Sequence, residues 1–131
     1  MKTIAILSVA LLVTYSHLMN AQSTGDCKPY ISMEGQVYKK ITPSNLKLCH
    51  ELKVSCHEGQ EVTWKVLSFQ VVRVPKKGDP DVTTSTGASF SKETLEQLKR
   101  AREDDVLFFE KIILVSHSGI EEEQNMIVEV Y

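Results

Sequence analysis

Asp105-Val106-Leu107-Phe108-Phe109-Glu110-Lys111-Ile112-Ile113-Leu114-Val115 is almost continuously apolar or aromatic from Val106 onward, and its flanks say what it is. Upstream, Ser91 is placed to cap a helix over about residues 91–102. Its apolar positions Leu95, Leu98 and Ala101 recur three apart, leaving Lys92, Glu93, Glu96, Lys99 and Arg100 for solvent. The pair Asp104-Asp105 breaks that pattern, and a run rich in β-branched and aromatic residues follows, as a strand requires. Downstream, Ser116-His117-Ser118-Gly119 reads as a turn, and Met126, Val128 and Val130 alternate as a half-buried strand should. The stretch from Phe90 to Tyr131 is therefore helix, strand, turn, strand. Phe108 and Phe109 face opposite ways on such a strand, so one belongs to the core and the other to a covering element or a contact surface.

Upstream of the helix the strongest strand signal is Glu61 to Val74. Val62, Trp64 and Val66 share one face, and after Ser68 the bulky residues change parity to Phe69 and Val71. A strand that exchanges its buried face midway contains a bulge or passes from one sheet to another. Pro75-Lys76-Lys77-Gly78-Asp79-Pro80-Asp81 is a loop, because its prolines cannot serve a central strand. Val82 to Thr86 is β-prone but polar, which suits an edge. Tyr30 to Met33 and Leu52 to Cys56 read as further short strands, and Ser44 as the cap of one helical turn over Leu46 and Leu48. Five to seven strands and one definite helix, without βαβ alternation, predict a mainly β, two-sheet sandwich with one connecting helix.

The N-terminus reads differently. Lys2 precedes a ten-residue, largely apolar run from Ile4 to Val13, then more polar residues and a small one at Ala21. That is the pattern of a secretory signal peptide over 1–21, too short to span a bilayer, which takes roughly 20 apolar residues. Residues 22–29 then read as a flexible lead-in and 30–131 as one domain. Without 1–21 there remain 110 residues, enough for a single core. They carry 14 basic against 17 acidic residues, a charge of −3 that gives no electrostatic case for nucleic acid. No later run is apolar enough to span a membrane, so the expected location is periplasmic or secreted.

Export allows disulfides, and Cys27, Cys49 and Cys56 leave one bridge and a spare thiol or a fully reduced chain. Cys49 and Cys56 cannot bridge across an extended segment, since seven steps of about 3.3 Å exceed disulfide reach. A pair using Cys27 is favoured, and the pairing itself stays open. Cys56 shares parity with Leu52 and Val54 and should face inward.

Chemistry-bearing motifs are sparse. Cys49-His50 and Cys56-His57 invite a metal reading, but adjacent residues on a strand point to opposite faces and the spacing is not that of zinc pairs. A thiolate–imidazole nucleophile fails on the same geometry. No phosphate-cradling glycine loop, Gly-x-Ser-x-Gly or His-Glu-x-x-His occurs. Asp79 and Asp81 lack the regular oxygen ligands of a calcium loop. The expectation is a non-enzymatic protein without a cofactor or metal. Its partner-binding candidates are Lys76, Lys77, Asp79 and Asp81 in the loop, with His117, Glu121, Glu122 and Glu123 at the hairpin.

Several of these motifs together resemble a known family. Val62-Thr63-Trp64-Lys65-Val66-Leu67-Ser68-Phe69-Gln70-Val71 looks like the central strand of the C-terminal domain of the gliding-motility protein GldM, with its hydrophobic-x-aromatic-x-Val-x-Ser-Phe-x-Val pattern. Gly87-Ala88-Ser89-Phe90 is similar to that family's Gly-x-x-Phe before the helix. Asp105 to Ile112 resembles its Asp-x-Val-x-Phe-Glu-x-Ile strand, and Ile41 to Leu46 its Ile-x-x-Ser-x-Leu segment. Asp104 stands where the family has glycine, and His117-Ser118 where it has Pro-Asp. The resemblance spans roughly Ile41 to Tyr131. It implies an immunoglobulin-like sandwich and a Bacteroidetes-type envelope protein tied to gliding motility or type IX secretion. In that family the domain is a periplasmic tip that dimerises and meets a protein partner in the cell envelope. A secreted inhibitor or adhesin-like binder, and a protein holding metal through Cys49, His50, Cys56 and His57, are the alternative readings.

Overall fold

The computed structural model describes residues 26–131. The expected signal peptide over 1–21 and the first part of the lead-in, 22–25, lie outside the described residues. From Asp26 the chain is fastened. Cys27 is buried and disulfide-bonded to Cys56 with a Cα–Cα distance of 5.7 Å, and the Trp64 indole N–H donates to the Cys27 carbonyl at 2.7 Å.

Among the described residues seven strands form two sheets. In chain order they are β1 (Pro29–Met33), β2 (Lys40–Ile41), β3 (Leu52–Cys56), β4 (Trp64–Val74), β5 (Asp81–Thr86), β6 (Val106–Ser116) and β7 (Glu121–Val130). Among the described residues the α-helices α1 (Pro43–Leu46) and α2 (Lys92–Lys99) precede β3 and β6, and a 3-10 turn, His57–Gly59, follows β3. The large sheet has the order β2-β7-β6-β4-β5, antiparallel except where β2 runs parallel to β7, and β1 pairs antiparallel with β3 in the small one. This is the mainly β, two-sheet architecture with one connecting helix that the sequence predicts.

The parity change in β4 has a simple cause. Val66 pairs with Leu114 and Ser68 with Ile113, so Leu67 is an extra residue bulged out of the ladder. The bulge turns both Val66 and Phe69 inward, and β4 stays in one sheet. A second bulge lies in β6, where Phe109 pairs with Met126 but Ile112 with Gln124. Lys111 takes φ +50° there, and its amide donates to the Asn125 side chain at 3.1 Å. Phe109 and Ile112 thereby both reach the core.

One core joins the inner face of the large sheet to the elements that cover it. Phe69, Val71, Leu107, Phe109, Ile112, Leu114, Val128 and Val130 meet Ile31, Met33 and Leu52 of the small sheet, with Leu46 from α1 and Leu98 from α2. Phe69, Phe90 and Phe109 pack with ring centroids 5.7 to 6.4 Å apart, which pins the chain just before α2 onto the sheet. Burying a side chain such as Phe109 completely contributes about 2–3 kcal/mol.

Three expectations shift. The cap of α1 is Thr42, whose hydroxyl accepts from the Asn45 amide at 3.3 Å, while Ser44 sits inside the turn behind Pro43. Leu46 is buried, but Leu48 is 66 % exposed because the turn ends before carrying it round to the core. Helix α2 has the expected Ser91 cap and stops at Lys99, with Ala101 reaching the core from the turn that follows. No helix among the described residues is long and apolar enough to cross a membrane.

Candidate functional site

The ends of β4, α2 and α1 surround a cleft of about 810 Å³. Lys76 and Lys77 reach it from the β4–β5 loop, Lys99, Arg100 and Arg102 from the end and exit of α2, and Lys47 from the end of α1. Basic residues at a helix C-terminus are favoured by its dipole, which explains Lys99 and Arg100 locally. At the foot, Arg73 and Asp105 neutralise each other, and the cleft's other acids are Asp79 and Glu103. Six cations against two anions make a positive pocket on a chain whose net charge is −2.

Asp105 holds the walls. Its carboxylate accepts from the Lys76 amide at 3.3 Å, the Arg102 amide at 2.9 Å and the Arg73 guanidinium at 3.2 Å. One buried side chain thus ties the β4–β5 loop to the turn after α2. Asp81 is drawn into the same network. It accepts from Arg73 and from the Gln97 amide at 2.8 Å, so this loop candidate is spent on internal bonds. Burial works to raise the Asp81 carboxyl, but hydrogen bonds from Arg73 and Gln97, with the charges of Arg73 and Arg100, hold it below its usual value. A hydroxyl ladder continues inward, with Thr83 bonded to Thr94 and Gln97, and Ser85 to Thr94 and the Ser91 amide.

The other candidates sit at the far end of β6. His117 and Ser118 occupy the tight turn closed by the Gly119 amide to the Ser116 carbonyl at 3.0 Å, with Gly119 at φ +87°. Ser118 donates to the Asp26 carboxylate at 2.6 Å, and that hydrogen bond is the main reason the Asp26 pKa is lowered. A serine, a histidine and an aspartate are close here, but the aspartate is bonded to the serine, which is not the order a nucleophilic triad needs. Glu121, Glu122 and Glu123 open β7 and are exposed. The structure therefore divides the eight sequence candidates. Lys76, Lys77 and Asp79 line the cleft, Asp81 is internal, and His117 with the three glutamates lies at the opposite end.

The outer face of the large sheet is a second surface. Cross-strand partners Val82, Val72, Phe108 and Ile127 form an apolar row over four strands, β5-β4-β6-β7. Val82 and Ile127 at its ends are each 56 % exposed, and Val72 and Phe108 between them are half-buried. Phe109 is the core member of the aromatic pair and Phe108 the surface one. Along β7 the outward positions Glu121, Glu123 and Glu129 are acidic, and Lys40 of β2 lies in register beside Glu129.

Cys56 is bound to Cys27, which fixes the pairing left open above, and Cys49 is the free, buried cysteine. Burial chiefly, with the charge of Glu34, pushes the Cys49 thiol up to about 11, and its hydrogen bonds the Asn45 carbonyl. Among the described residues no cluster of three or more His, Cys, Asp or Glu is placed to hold a metal. No protein-family model matches the chain, and no curated protein matches it.

Proposed function

We propose that the chain is a non-enzymatic, exported interaction module of the cell envelope, built like the periplasmic tip domain of GldM and linked to gliding motility or type IX secretion. The observation that carries this reading is the apolar row Val82–Val72–Phe108–Ile127 with its charged surround. A desolvated apolar centre within a polar border is how protein surfaces that bind other proteins are built. The row lies on the side of the sheet opposite the core. Its occupant is a protein partner with an apolar centre and basic groups facing Glu121 and Glu123.

Affinity capture from the native envelope tests this with two chains, the wild type and a Phe108→Lys, Ile127→Lys variant. Motility or secretion components recovered with the wild type and lost with the variant support it. Their absence from both overturns the cellular assignment. A dimer of the isolated chain that dissociates in the variant replaces the partner by a second copy and overturns the choice of occupant.

A further inference from the structure

We infer that the cleft between the β4–β5 loop and the turn after α2 binds an extended, carboxylate-rich peptide segment of a partner protein. This site lies apart from the apolar row and stands without it.

Three observations converge. The first is charge. Lys47, Lys77, Lys99 and Arg102 are exposed cations from three separate segments of the chain, gathered by the fold around one cavity. Arg73 at the foot is paired with Asp105 and Asp81. Two further cations have partners, Lys76 with Asp104 in a pair exposed on both sides and Arg100 with Asp81 at 3.9 Å, both weak. That leaves the four exposed cations unpaired among the described residues. A concave surface of one sign concentrates ligands of the other and speeds their encounter.

The second is construction. Both walls hang from the buried Asp105 carboxylate through the Lys76 and Arg102 amides, so the cations are presented from a braced frame. Bracing before binding lowers the ordering cost that a ligand must meet. The cleft's volume of about 810 Å³ is within the size of ordinary ligand pockets, about 300–1,000 Å³.

The third is the kind of anion that fits. Asp79 and Glu103 stand among the cations. A string of phosphates offers acceptors alone and has no donor for these carboxylates. A peptide brings its own backbone N–H donors for Asp79 and Glu103 and carboxylates for the lysines. Pro75 and Ala101 add a small apolar floor for the peptide's carbon atoms.

Fluorescence anisotropy with a labelled peptide of alternating glutamate and glycine, read against the intact chain, tests the inference. Binding is expected at about 50 mM salt and is expected to weaken strongly by about 300 mM, as screening of exposed charges demands. A Lys77→Glu, Arg102→Glu variant should lose at least about tenfold in affinity, since like charges then face the peptide. Glu61→Lys, exposed just before β4 at the far end, should leave binding unchanged. Both reversed side chains are exposed, so an unchanged unfolding midpoint certifies the variant, and Lys47→Glu serves in its place if the midpoint moves. Absence of binding at low salt overturns the inference, as does equal binding by the reversed variant. Inorganic polyphosphate of matched charge binding more tightly than the peptide also overturns it, because the cleft is then a phosphate site.

Discussion

Arg73 and Asp105 meet at 3.2 Å at the foot of the basic cleft, with the guanidinium side chain 14 % exposed and the carboxylate 4 %. Removing either leaves the other short of a partner in a poorly hydrated place. Asp105→Ala leaves the Lys76 and Arg102 amides unpaired and hands Arg73 to Asp81 alone. A loss of about 3 kcal/mol is expected in urea unfolding. A loss below about 1 kcal/mol would show that the bracing is weaker than its geometry.

Asp81 makes stability depend on pH in a defined direction. Its folded pKa lies below the ordinary 3.8, so its contribution is complete above that value and is lost as pH falls through the lower folded one. The Asp81→Asn variant should be less stable at neutral pH by about 1 kcal/mol, allowing for solvent screening of a partly exposed group. Its melting temperature should fall less steeply than that of the wild type below about pH 4. Parallel melting curves would remove Asp81 from the acid transition.

Asp104 holds φ +72° two residues before β6. Glycine adopts such a left-handed backbone without a Cβ clash, and aspartate tolerates it better than most residues. Asp104→Gly should stay within about 1 kcal/mol of the wild type, while Asp104→Ala should cost about 1 kcal/mol. Thermal unfolding of the two variants decides it, and the reverse order would refute the backbone account.

Ser32 carries a buried hydroxyl without a hydrogen-bond partner on β1. An unmade bond in a dry site costs more than an absent group. We expect Ser32→Ala to raise stability by about 1 kcal/mol. A destabilised variant would mean that the hydroxyl has a partner in solution.

The Cys27–Cys56 bond closes a separation of 29 residues. Chain-entropy reasoning gives such a closure about 3.5 kcal/mol, which Cys27→Ser should forfeit. Alkylation at pH 8 should leave the native wild type unmodified and label one thiol, Cys49, on unfolding. Rapid native labelling would contradict its burial and raised pKa.

The fold was legible wherever one residue's parity or spacing decides burial. Met126, Val128 and Val130, Leu95 with Leu98, and the parity change after Ser68 all needed nothing beyond local pattern. The cap of α1 was less legible, because Thr42 and Ser44 are both good caps and Pro43 between them decides by favouring the first helical position. The cleft was legible on one side. Lys76, Lys77 and Asp79 announce themselves in a proline-bounded loop, whereas Lys99 and Arg100 look like the solvent side of any amphipathic helix. Lys47 and Arg102 carry no local signal, since their meeting with the loop depends on the order of strands and on Asp105. The apolar row was hidden for the same reason. Val72, Val82, Phe108 and Ile127 become neighbours only when three registers are fixed.

The fastening of Cys27 sets the direction in which the domain is carried. Asp26 is tied to Ser118 at one end of β6, and the basic cleft lies about 35 Å away by strand rise, at the other end. Asp26, the first described residue, therefore sits at the hairpin pole. A surface or fusion attached there presents the lysine-rich pole outward, free to meet what approaches.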